Sequence, residues 1–249
     1  MNLRLLPLFT FAVLFFSCSP NNVKIDSSIS KLLDSAGVNG SFALLENGSG
    51  QFTIANLSTY KDTALAPLNT FFILPSLIAL DKGVFNQNSS TWVSTDSIQF
   101  YQELMTGLGR ATLMKTIDSI HYGKGIVSAD VNEFWRDQSL RITADEQLGL
   151  IKKMYFKSLP FQKRTQELFK KMISKEDNSN YHLSYIESMD TLRQVSWVVG
   201  FEEENKHVYF FVLNTNGNKQ GSIKGVPAKS SVPLLKNILI QQGFLQGLR

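Results

Sequence analysis

Asn69-Thr70-Phe71-Phe72-Ile73-Leu74-Pro75-Ser76-Leu77-Ile78-Ala79-Leu80-Asp81-Lys82-Gly83 decides the fold of this chain. From Thr70 to Leu80 nearly every position is apolar. An apolar stripe recurring every three or four residues would mark a surface helix, whereas an all-round apolar run predicts a helix buried on every side. Asp81-Lys82-Gly83 then supplies a polar stop and a terminating glycine. Asn69 and Phe72 stand at the start, three residues apart, which places both on one helix face. A side-chain amide is a poor nucleophile and a phenyl ring cannot take a proton, so this face carries no acid–base or nucleophilic pair.

Upstream, Ser27–Ala36 reads as a short helix with Ile29, Leu32 and Leu33 on one face and Gly37 as its stop. Residues 40–46 and 51–57 read as strands around Asn47-Gly48-Ser49-Gly50, a strong hairpin signal. Downstream the chain is helical over 98–108, 111–120, 143–155 and 163–173. Thr143 followed three residues later by Glu146 is a capping-box pattern. Strands return at 181–188, 196–203 and 207–214, the last two flanking Glu204-Asn205-Lys206, and residues 232–245 form a closing amphipathic helix. This order predicts an α+β domain. An antiparallel sheet of about five strands comes from both chain ends, with a mostly helical lobe inserted between them and a groove at the junction.

Residues 1–17 read as a targeting segment, with Arg4 preceding an apolar run from Leu5 to Phe16 that is too short to span a bilayer as a stable helix. It ends at Phe15-Phe16-Ser17-Cys18, which resembles the lipobox of bacterial lipoproteins, although Phe15 stands where that motif usually has Leu. Cys18 is the expected lipid attachment, followed by a polar tether over 18–26 and a single domain over 27–249. The alternative is an ordinary secretory signal with an incidental thiol; the tether Ser19-Pro20-Asn21-Asn22 favours the lipoprotein. The chain is then expected on the extracytoplasmic side of a bacterial membrane, held by its N-terminal lipid.

Roughly 230 residues remain after the leader, enough to bury a sizeable core. Cys18 is the one cysteine, so no intrachain disulfide forms. His121, His182 and His207 lack ligand spacing, and neither a metal nor another cofactor is expected. The net charge of +4 is modest. Lys152-Lys153 and Lys170-Lys171 lie among helical apolar residues and read as solvated faces, not as a nucleic-acid footprint.

The quoted stretch resembles the active-site helix of class D serine β-lactamases and the related penicillin-binding transpeptidase domains. That helix opens Ser-Thr-Phe-Lys and runs through Leu-Ile-Ala-Leu to an acidic residue and a glycine. Phe100-Tyr101-Gln102, Tyr122-Gly123, Phe134-Trp135, the stretch from Leu140 to Gln147, Leu159-Pro160-Phe161 and Trp197-Val198-Val199-Gly200 are similar to further family segments in the family's order. The resemblance implies a serine nucleophile and a carboxylated lysine, and here those positions read Asn69 and Phe72. The Ser-x-Val motif falls on Asp96-Ser97-Ile98, Tyr-Gly-Asn on Tyr122-Gly123-Lys124, and Lys-Thr-Gly on Ile186-Glu187-Ser188.

Departures in all four motifs point to a fold kept without its chemistry. Losing a nucleophile from a cooperating set costs on the order of 10⁶ in turnover. The family's tryptophan packs near the carboxylated lysine, so Trp135 is expected against Phe72, lining the groove with Ser97 and filling the old pocket with apolar surface. Asp96 and Glu187 are expected either to place negative charge in the groove, repelling a carboxylate and tolerating an amine, or to be solvated rim residues. The function implied is binding without turnover, to a peptidoglycan peptide or an envelope protein. The alternatives are a β-lactam hydrolase or acyl transferase with a shifted nucleophile, for which Thr70 and Ser76 are the candidates, and a β-lactam sensor. Sensors of this family keep the serine and lysine that this chain lacks.

Overall fold

Strands β1 (Val23–Ile25), β2 (Val38–Glu46), β3 (Phe52–Ala55), β4 (Ser174–Asp177), β5 (His182–Asp190), β6 (Val195–Glu204) and β7 (His207–Asn218) form one sheet, in the order β1-β3-β2-β7-β6-β5-β4. The computed structural model describes residues 22–84, 98–125, 127–218 and 230–248. Both chain ends contribute, as the sequence predicts. The N-terminal hairpin β2–β3 meets the C-terminal strands through β2 and β7, with Phe42 opposite Leu213 and Leu44 opposite Phe211. All neighbours are antiparallel except β1 and β3.

The sheet is longer than the five strands expected, by the short edge strands β1 and β4. Neither carries enough alternation to be read from sequence. β1 falls in the stretch expected as tether, so the ordered domain begins before Ser27, the expected boundary. β1 leads straight into α1 (Ser27–Ala36), where the Asp26 carboxylate accepts the Ser28 N–H at 2.9 Å as an N-cap.

Each face of the sheet has its own core. Helix α1 and the closing helix α8 (Val232–Gln241) cover one face, where Ile29, Leu33, Phe42, Val198, Phe211, Leu235 and Ile238 are buried together. On the other lie α2 (Leu57–Asp62), α3 (Ile73–Asp81), α4 (Ile98–Leu108), α5 (Arg110–Ile120), α6 (Ala144–Tyr155) and α7 (Lys163–Met172). Strand alternation sorts the residues: Ile186, Trp197 and Val199 face the helical lobe, while Leu183, Tyr185 and Val198 face the terminal helices.

The decisive stretch behaves as its composition demands. Every residue from Ile73 to Ala79 is buried. Asp81, at the end of the run, ties α3 to α7. Its carboxylate accepts the Gln162 N–H at 2.9 Å and the Thr165 hydroxyl at 3.0 Å, at the start of α7. The capping box at Thr143 and Glu146 is present. Gly200 of the Trp-Val-Val-Gly run is required by a close approach, since a Cβ there would lie 2.0 Å from the Ser184 carbonyl oxygen.

Candidate functional site

Asn69 and Phe72 do not begin a regular α-helix. They lie on a 3₁₀ turn, Leu68–Phe72, that leads into α3. A 3₁₀ turn has three residues per turn, so positions 69 and 72 eclipse and face the same way. Leu68, just before, sits at φ 51, a left-handed conformation uncommon for a branched residue, and its N–H is held by the Trp135 carbonyl at 3.0 Å. The resemblance predicts the site at this point, and three parts of the molecule converge on it.

Phe72 is only 4% exposed. Its ring stacks on Tyr101 of α4 with centroids 3.5 Å apart and planes 12° from parallel, and it meets Trp135 at 4.8 Å and 60°. The expected Phe72–Trp135 contact is therefore present. Tyr101 is a third member of the cluster, and nothing in its motif alone points to this contact. Burial pushes the Tyr101 phenol up to about 12. Three rings pack together at the position that the resemblance aligns with the family's lysine.

The Trp135 indole N–H is a second feature of this cluster. It is buried and has no hydrogen-bond partner among the described residues. An orphaned N–H of this kind costs about 1–3 kcal/mol, and most buried donors avoid it. Phe72 offers no acceptor. The indole's other neighbour is Arg136, whose guanidinium lies 5.3 Å from the ring centroid. Glu133 holds it there, accepting from Arg136 Nε at 2.6 Å and raising the guanidinium's pKa.

The backbone at Asn69 is also committed. Its N–H donates to the Ser188 hydroxyl of β5 at 2.8 Å. A backbone N–H at a nucleophile's position is well placed to stabilise an oxyanion, provided it is free to bond one. Ser188 is the residue that the resemblance aligns with the glycine of Lys-Thr-Gly, and its side chain takes the donor. Ile186, the position of the motif lysine, is buried on the same lobe-facing side of β5.

Glu187 requires a correction. It does not put charge in the groove, because it points to the opposite face of the sheet. There its carboxylate accepts the Ser230 hydroxyl at 2.7 Å and the Ser231 N–H at 2.6 Å, at the start of α8. Strand parity is the reason: with Ile186 and Ser188 turned to the lobe, Glu187 has to turn away. The other expected groove carboxylate, Asp96, lies outside the described residues, as do Ser97 and the lipidation candidate Cys18. Ile98 opens α4 and is 39% exposed.

Tyr122, Gly123 and Lys124 follow α5. Tyr122 is buried and its hydroxyl donates to Gln147 Oε1 at 3.2 Å, and burial pushes its phenol far up. Gln147 in turn donates to the Thr70 hydroxyl. Gly123 has φ 73, and a Cβ there would lie 2.6 Å from the Arg141 carbonyl oxygen, so only glycine fits. Lys124 is exposed and pairs through its backbone with Arg141.

Both candidate replacement nucleophiles are buried. Thr70 is fully buried, with its hydroxyl donating to the Pro67 carbonyl and accepting from Gln147. Ser76 is 1% exposed within α3. Among the described residues, no cluster of three His, Cys, Asp or Glu could hold a metal ion, and no helix is long and apolar enough to cross a membrane.

No known family model matches the chain. It is 28% identical over 194 residues to β-lactamase OXA-48 of Klebsiella pneumoniae, covering 69% of this chain and 73% of that one. It is 24% identical over 239 residues to the regulatory protein BlaR1 of Bacillus licheniformis, covering 86% of this chain but only 39% of that longer protein. Among solved structures, the class D β-lactamase YbXI from Nostoc superposes with a TM-score of 0.76 at 24% identity, over 87% of this chain and 99% of that one. The C-terminal domain of the Bacillus licheniformis BlaR penicillin receptor superposes with a TM-score of 0.77 at 23% identity, over 89% and 96%. The chain has the class D β-lactamase fold and is class D β-lactamase-like and penicillin-receptor-like in sequence.

Proposed function

We propose that this protein is a non-catalytic member of the class D β-lactamase-like group, anchored through Cys18 to the extracytoplasmic face of a bacterial membrane. It binds a cell-wall peptide or an envelope protein at the lobe junction without turning it over. The observation that carries this reading is the ring stack of Phe72 on Tyr101 and Trp135, with the Trp135 N–H left unpaired. Proton transfer needs a titratable group within hydrogen-bond reach of the nucleophile, and a phenyl ring supplies none. The engaged Asn69 N–H removes a donor that acyl transfer would need. The deep burial of Thr70 and Ser76 counts against a shifted nucleophile.

Turnover of a chromogenic cephalosporin tests the catalytic half of this proposal. At micromolar protein the expected rate equals the buffer blank. A kcat/KM of about 10⁴ M⁻¹s⁻¹ or more, ordinary for an enzyme, contradicts it. The anchoring half is tested by Cys18→Ser, which is expected to shift the protein from the membrane pellet to the soluble fraction.

A further inference from the structure

A cavity of about 130 Å³ lies outside the degenerate site, between the end of α5 and one face of α6. Its floor is apolar, built from Ile142, Leu150 and Leu159 with the buried Tyr122 as one wall. At its rim stand His121, Glu146 and Lys153. The Glu146 carboxylate accepts the Thr143 N–H at 2.9 Å and the Thr143 hydroxyl at 3.1 Å, both through Oε2, in the capping box. The side chains of His121 and Lys153 are exposed and make no ion pair or hydrogen bond with the described residues.

Gly149 makes the cavity. It sits mid-helix in α6, where glycine is unfavourable relative to alanine. No packing reason excludes a side chain there, since a Cβ would meet nothing within 4 Å and the backbone has ordinary helical φ. The open space above Gly149 is the space a side chain would fill. A cavity of about 150 Å³ takes a benzene ring, so this one accepts a group of that size or slightly smaller.

We infer that this cavity binds a small amphipathic carboxylate, its apolar group over Gly149 and its anionic end between His121 and Lys153. An exposed ammonium and an exposed imidazole over an apolar floor, with Lys153 two helical turns (about 10 Å) along α6 from the Glu146 carboxylate, favour an anion joined to a ring or short branched chain. The site is separate from the groove, though Tyr122 is shared: one side walls the cavity, and its hydroxyl leads through Gln147 to Thr70, next to Asn69.

Benzoate is the probe, titrated into the full ¹⁵N-labelled chain in zwitterionic micelles, with benzylamine as the charge-reversed control. The expected result is saturable amide shifts at Tyr122, Gly149 and Leu150 with a Kd in the millimolar range, as small ligands give. Benzylamine is expected to bind more weakly. Gly149→Leu is expected to abolish the shifts while the thermal melt is not lowered, and Lys153→Glu to weaken binding at least about threefold. Overturning results are shifts that do not saturate, equal binding of benzylamine, or undiminished binding by Gly149→Leu.

Discussion

Truncating Phe72 to alanine tests whether the position that the resemblance aligns with the family's lysine is core. The side chain is 4% exposed and touches two other rings, so its removal counts as a buried Phe→Ala change. Such changes cost about 3–5 kcal/mol through lost transfer energy and the cavity left behind. The contacts with Tyr101 and Trp135 account for about 1–2 kcal/mol of that. One term opposes it: the new space lies against the unpaired Trp135 N–H, and a water entering there recovers about 1 kcal/mol of the orphan's cost. The net expectation is a loss of about 2–4 kcal/mol, read from urea unfolding at unchanged m-value. For a domain of this size that lowers Tm by about 5–15 °C. A loss below about 1 kcal/mol would refute the reasoning, because a lysine-sized pocket still solvated around Phe72 would give that result.

Other perturbations separate the remaining structural roles. Gly149→Ala is expected to stabilise the chain by about 1 kcal/mol, since the helix gains a better residue and nothing obstructs the methyl group; thermal unfolding reads it. Asp81→Ala removes the two hydrogen bonds that tie α3 to the start of α7 and is expected to cost about 1–2 kcal/mol in urea unfolding, with faster hydrogen exchange at the Gln162 amide. The hydrogen bond from Ser28, together with Lys24, lowers the Asp26 carboxyl from 3.8 to about 2. A depressed carboxylate contributes stability that is present above the unfolded value and lost as pH falls through the folded one. Asp26→Asn, which keeps a capping side chain, is therefore expected to remove part of the stability lost between about pH 4 and pH 2, and unfolding curves of both proteins across that range measure it.

Much of the fold is legible because the run from Thr70 to Leu80 is apolar on every face, which allows only a buried helix. Asn47-Gly48 marks its hairpin, and Thr143 with Glu146 marks the start of α6 for equally local reasons. What stays hidden depends on parity or on distant contacts. β5 alternates weakly, so nothing local says that Ile186 and Ser188 face the lobe while Glu187 faces away. The Asn69–Ser188 hydrogen bond joins residues 119 positions apart, and its formation rests on how β5 lies against the 3₁₀ turn. The 3₁₀ geometry itself is unreadable, since a threefold spacing suits either kind of helix. Tyr101 is visible as part of an aromatic pair, yet its stacking partner follows from the packing of α4 on α3. The edge strands β1 and β4 are short and mostly polar, and only their pairing identifies them.

The intact mass of the full chain after long incubation with a reactive penicillin tests the central claim most directly. With Asn69 and Phe72 at the positions that the resemblance aligns with the nucleophile and the lysine, and the Asn69 N–H engaged by Ser188, the predicted mass is unchanged at high penicillin concentration. A stoichiometric adduct carrying the mass of the opened penicillin would contradict the account, and peptide mapping would then locate the nucleophile responsible.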